Sequence, residues 1–229
     1  MFYVASSWSE NYGESGGQAG GNFSRAFDAI LSDRRITLCG LICSSFESSM
    51  FIFVFNWTPC LMEPDQPVPP FGHIFSGFMI FCLLGTRVYA YLSGSFSVEQ
   101  IGLMVMIVSG VCHMVAFLFQ DVMVRFVAFL VFEACVGLYF PMMGTLKGDI
   151  VPEDMRSTIY NIYRLPLNVL VLLPLLMNFS ISTTFTVTTA ILCVASFSAF
   201  NLMSMPKKGE KAVDLEMEAA RVGQASDNL

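Results

Sequence analysis

The chain has 229 residues, of which 55% are hydrophobic and 13% charged, with 22 phenylalanines and a mean hydropathy of +0.63. A soluble domain carries about 25% charged residues, so this composition excludes an ordinary soluble enzyme and leaves most of the apolar surface facing lipid. Twelve Lys and Arg against eighteen Asp and Glu give a net charge of -6, with no basic run longer than a pair, which argues against nucleic acid as a partner. The seven cysteines stand singly in apolar runs and do not form a disulfide framework.

Residues 1–35 read as a polar N-terminal segment in which 13–22 is a flexible glycine-rich linker. The first apolar run opens after Arg34 and Arg35 and covers 36–61, enough to cross a hydrocarbon core of ~30 Å with some tilt. Further runs follow at 71–92, 101–119, 122–143, 157–179 and 183–205, each bounded by Pro, Gly, Asp or Asn. The expected fold is an all-α membrane protein, six transmembrane helices packed as one bundle over 36–205. Residues 206–229 are a polar tail, read either as disordered or as holding a short amphipathic helix at 213–222.

Cations near span ends are retained in the cytoplasm. Placing the N-terminus there puts ten of the twelve Lys and Arg on the cytoplasmic side, and the outer loops 62–70, 120–121 and 178–182 hold none. Both termini are then cytoplasmic. The exceptions are Arg125, near the outer end of the fourth run, and Arg164, deep in the fifth.

An ionisable group at depth costs a few kcal/mol unless it is paired or faces a wet cavity. Glu47 and Glu133 fall near the midplane of the first and fourth runs, and Arg164 lies a little short of it. Asn161, Arg164 and Asn168 recur at i, i+3 and i+7, with Tyr160 one turn before the arginine, so that helix carries a polar stripe expected to line the bundle interior. Pro166 removes a backbone donor beside it. Two readings stay open. Arg164 is permanently paired with Glu133 or Glu47 as glue between helices, or it meets a transported anion, since a guanidinium fork presents two parallel donors to an oxyanion. Arg164, Asn161, Asn168, Glu47 and Glu133 are therefore the candidate substrate-binding residues.

The segment 147–156 reads as a structured turn, with Pro152 at a helix start and Glu153 and Asp154 against its positive end. It is either a solvated cap or a gating latch in which Asp149, Glu153 and Arg156 work with Arg87. His113 has no acidic residue one turn away and reads as a buried core histidine. Cys39 and Cys43 lack a second pair of ligands, so no metal or cofactor is expected. Nor is an enzyme, because there is neither a Gly-x-Ser-x-Gly elbow nor a His-Glu-x-x-His helix.

Four segments, Trp8-Ser-Glu-Asn-Tyr-Gly13, Phe46-Glu-Ser-Ser-Met-Phe-Ile-Phe-Val-Phe-Asn-Trp-Thr-Pro59, Phe132-Glu-Ala-Cys-Val-Gly-Leu-Tyr-Phe-Pro141 and Val151-Pro-Glu-Asp-Met-Arg-Ser-Thr-Ile-Tyr-Asn-Ile-Tyr-Arg-Leu-Pro-Leu-Asn168, resemble the eukaryotic molybdate-anion transporter family of the major facilitator superfamily. The resemblance implies a twelve-helix carrier that takes up molybdate or a similar tetrahedral oxyanion through the cell membrane. These six helices would be its C-terminal half, with the first and fourth lining the cavity. It also implies a partner for this half: a missing N-terminal half or a second copy. The alternative is a non-transporting membrane protein that associates with a full-length carrier and regulates it.

Overall fold

The computed structural model describes residues 19–63 and 66–206. The Trp8 segment, residues 13–18 of the expected linker and the tail at 207–229, including 213–222, lie outside the described residues. Helix α1 (Ala19–Ser32) is separated from α2 (Arg34–Cys60) by Asp33 alone, which takes extended backbone and caps α2 by accepting a hydrogen bond from the Arg35 N–H at 2.8 Å. Helices α3 (Phe71–Leu92), α4 (Val98–Leu118), α5 (Val122–Ile150), α6 (Arg156–Leu176) and α7 (Ile181–Met203) follow. Ser97 and Gln100 form a reciprocal capping box on α4, and the Asp121 and Ser180 side chains cap α5 and α7. Among the described residues six helices, α2 to α7, are long and apolar enough to cross a membrane.

Most helix ends fall within three residues of the sequence reading, and two boundaries differ by more. Residues 19–22, expected in the linker, open α1, because Ala26 and Ile30 pack against the bundle core and tertiary contact outweighs the low helix propensity of two glycines. Helix α5 continues past 143 to Ile150, so Lys147 and Asp149 are helical rather than part of a turn. Pro141 does not end it, since a chain crossing lipid has no other way to satisfy its backbone groups. Only Glu153–Met155 form the short 3-10 turn expected after Pro152.

The central pair is α2 and α5. The first touches α5, α6 and α7, the second α2, α3 and α4, and α4 packs on α7 behind them. Between these helices an aromatic core forms: Phe53 meets Phe129 and Phe132 edge-on at 5.0 Å, and His113 meets Phe132 at 4.5 Å. His113 is wholly buried, and its Nδ1 shares a 2.7 Å hydrogen bond with Thr188 Oγ1. It is a core histidine.

Helices α3 and α5 meet backbone to backbone. A Cβ on Gly85 would strike the Ala134 carbonyl, and one on Gly137 the Cys82 carbonyl. Lipid tails are as apolar as Leu, so helices in a bilayer are held by such close approach rather than by a hydrophobic drive.

The face holding the start of α2 and the end of α7 is called the terminal face below. There Arg35 pairs with Glu99 of α4 at 3.5 Å and donates to the Pro206 carbonyl at 3.0 Å. On the opposite face Arg125 finds its role. Its Nε donates to the carbonyls of Phe119 and Ala116 at 2.8 and 3.2 Å, and its Nη1 to the Cys60 carbonyl at 3.2 Å. One cation thus closes the C-terminal ends of α2 and α4, where free carbonyls carry partial negative charge. Arg125→Ala is expected to cost about 1–3 kcal/mol, the scale of a lost charged hydrogen bond. Thermal unfolding in detergent would read it, and Arg125→Lys should recover only part because a point charge cannot bridge three carbonyls.

Candidate functional site

The placement of α6 rests on Tyr163. Gly40 of α2 has no Cβ, and the Tyr163 ring lies in the space this leaves. The phenol donates to the Ile36 carbonyl at 2.7 Å, while Ser44 Oγ donates to the Tyr163 carbonyl at 2.8 Å. With Tyr163 turned into α2, the next residue is rotated about 100° around the helix. Arg164 is exposed, as are Asn161 and Asn168. No ion pair reaches Arg164 among the described residues.

Neither glutamate is its partner. Glu47 Oε1 accepts from the Tyr139 phenol at 2.8 Å and from the Cys43 thiol at 3.1 Å, and lies 3.6 Å from Lys147 Nζ. The ring of Tyr139 stacks on Phe46 at 4.0 Å, which fixes the phenol. Glu133 is buried, 7% exposed, with no hydrogen bond or ion pair among the described residues. The reading in which Arg164 is glued to Glu47 or Glu133 is therefore corrected: a nearer cation, Lys147, takes Glu47.

Lys147 also bridges the helices. Its ammonium sits 5.0 Å from the Tyr160 ring centroid of α6, a cation–π contact. Tyr160 and Arg164 are one turn apart on α6. A chain of contacts thus crosses three helices, from Glu47 on α2 to Lys147 on α5 to Tyr160 on α6. One turn further along α6 stands the exposed Arg164, a guanidinium with no partner among the described residues and with Asn161 and Asn168 on its stripe, while the ammonium below it is held by a carboxylate. Such a set can offer donors and positive charge to an anion and supply a counter-charge when the anion leaves.

Sequence reasoning missed Lys147, Tyr139 and Tyr163. Tyr139 and Lys147 stand at i and i+8, so extending the helical period past Pro141 would have placed both on one face. The pair Glu47–Lys147 is largely shielded, 22% and 17% exposed. Lys147→Met should leave Glu47 without its counter-charge and cost about 1–3 kcal/mol in thermal unfolding, with Glu47→Gln in the same chain restoring much of the loss. Additive losses in this cycle would show that the two do not interact.

The residues read as gating are only partly gathered. Arg156 pairs with Glu153 at 3.9 Å within one turn, and Asp154 pairs with Arg25 of α1 at 3.9 Å. Asp149 and Arg87 are exposed, and among the described residues neither enters an ion pair. Arg25 comes from a helix the sequence reading did not contain, and it reaches Asp154, which lies outside the set read as gating.

Residues 1–139 match the family described as sugar transporters with 12 transmembrane helices. Three vertebrate proteins named molybdate-anion transporter are similar to this chain. The protein of Xenopus tropicalis is 34% identical over 190 residues, 76% of this chain and 39% of the relative. The protein of Takifugu rubripes is 35% identical over 155 residues, 64% of this chain and 32% of the relative. The protein of Danio rerio is 34% identical over 160 residues, with the same coverage of 64% and 32%. The matched part of the chain spans 32% to 39% of the length of these relatives. No solved structure matches.

Proposed function

The chain belongs to the molybdate-anion transporter family of the major facilitator superfamily, and from that premise we propose that its helices form one wall of a carrier that moves molybdate or a similar tetrahedral oxyanion by alternating access. The observation that carries this reading is the exposed, unpaired Arg164 between Asn161 and Asn168. Counted from Arg156, Arg164 is about 12 Å into its helix. A guanidinium there is costly against lipid tails. The stripe therefore faces a wet path, with a second six-helix bundle on its far side, in keeping with the 12 helices of the family's description.

In this reading Arg164 holds the anion through its planar fork and Asn161 and Asn168 donate amide hydrogens. Lys147 is the second cation, one turn nearer the terminal face, exchanging Glu47 for the anion as it passes. The terminal face is cytoplasmic and the membrane is the cell membrane. The other bundle is an N-terminal half or a second copy of this chain.

The test is uptake of labelled molybdate by cells expressing this chain alone, or together with the first six helices of a full-length relative. Uptake should rise above background with the combination, and unlabelled sulfate or tungstate should compete for it. No rise in either case, at verified surface expression, overturns the proposal.

A further inference from the structure

Helix α1 presents an apolar surface that the bundle only half uses. At about 100° per residue, Ala26, Ile30, Phe23, Phe27 and Leu31 fall in that order across one arc of roughly 140°. One flank of the arc is spent on the protein: Ala26 is fully buried and Ile30 packs against the core. The other flank is bare, with Phe23 48%, Phe27 45% and Leu31 67% exposed, and the two phenylalanine rings stacked side by side at 6.4 Å. Ser24, Arg25, Asp28 and Ser32 occupy the remaining face and point to solvent. A helix with protein on one side, water on another and apolar side chains between them matches a position at the edge of a membrane.

Its place in the chain agrees. A single residue, Asp33, lies between α1 and the first membrane-crossing helix. The start of that helix is held by Arg34, bonded to Asn201 at 3.3 Å, and by Arg35, paired with Glu99, so this is the level at which the bundle leaves the hydrocarbon. The bare flank of α1 thus lies at the level of that boundary.

We propose that α1 lies in the headgroup–acyl boundary of the leaflet at the terminal face, with Phe23, Phe27 and Leu31 inserted among the lipid chains. The attraction is apolar and not electrostatic. Among its described side chains α1 carries one cation and one anion, Arg25 and Asp28, and Arg25 is already engaged by Asp154. Anionic headgroups therefore add little. Through that ion pair and its contacts with α6, α1 ties the turn before α6 to the membrane surface.

The experiment uses the full chain reconstituted in phosphatidylcholine vesicles, with the photoreactive residue p-benzoylphenylalanine in place of Phe27, Leu31 or, as the polar-face control, Asp28. After illumination, mass spectrometry should find phospholipid adducts at positions 27 and 31 severalfold above those at 28. The yields should be unchanged when phosphatidylserine is mixed into the vesicles. Equal adduct at all three positions, or crosslinks from 27 and 31 to protein instead of lipid, would overturn the proposal. A marked rise on adding phosphatidylserine would overturn its apolar basis. Two independent reporter positions keep the test decisive should one variant fold poorly.

Discussion

Arg164→Ala is expected to abolish uptake of labelled molybdate by a complete twelve-helix assembly at matched surface expression, while the protein still folds. Folding should survive because no side chain among the described residues pairs with the guanidinium. Arg164→Lys is the informative companion. It keeps the charge and loses the fork, so it should weaken apparent affinity for the oxyanion by about 1–2 kcal/mol, or roughly 5- to 30-fold. Unchanged affinity in both variants would make the arginine a contact for the second bundle and remove it from the anion site.

The second large effect is structural. Gly137→Val and Gly85→Val should each destroy most folded, monodisperse protein, because the incoming side chains meet carbonyls of the opposite backbone, which cannot rotate away. Overpacking of a well-fitted interface costs about 1–3 kcal/mol, and a collision between two backbones belongs at the upper end. Gly144→Ala supplies the contrast on the same helix. A Cβ there meets nothing within 4 Å, and alanine's better helix propensity should leave stability unchanged or raise it by up to ~1 kcal/mol. The measurement is the fraction of monodisperse protein on size exclusion, with its thermal midpoint. If Gly137→Ala melts where the parent does and Gly137→Val still folds, the α3–α5 contact is not set by close approach. Glu133→Gln, by comparison, breaks no bond among the described residues and should leave the midpoint unchanged or raised, since it replaces a buried ionisable carboxyl without a partner there by a neutral amide of the same shape.

The membrane-crossing helices were legible because a bilayer demands long apolar runs, and that demand is written along the chain one residue at a time. What pairs with what was not. Glu47 and Arg164 are two conspicuous charges at depth, and linear reasoning joined them for want of other candidates. The structure gives Glu47 to Lys147, whose membership of the helix was hidden by Pro141, Gly144 and Gly148, residues that punctuate helices in water. Arg125 looked misplaced because its partners are carbonyls, and a sequence has no symbol for the end of a neighbouring helix. Helix α1 was hidden by Gly20 and Gly21. Its own period, visible in Phe23, Phe27 and Leu31, was the overlooked signal. The stripe on α6 was legible as a stripe, whereas its exposure depended on Tyr163 seating against Gly40.

Helix α5 also acts on the membrane. Arg125 and Lys147 lie 22 residues apart in sequence along it, about 33 Å, and between them Glu133 is the sole charged residue. A cation at a helix end ordinarily lets the helix slide a little, because its long stem can bend toward water. While Glu47 holds Lys147, neither end has that slack: one guanidinium is fastened to three carbonyls and the ammonium to a carboxylate and a ring. The apolar length between them is therefore fixed while those contacts hold, and a bilayer of another thickness is met by tilt of the helix or by local stretching or thinning of the lipid, at a fraction of a kcal/mol for each ångström of mismatch. Membranes near its own span are where the protein rests with least strain.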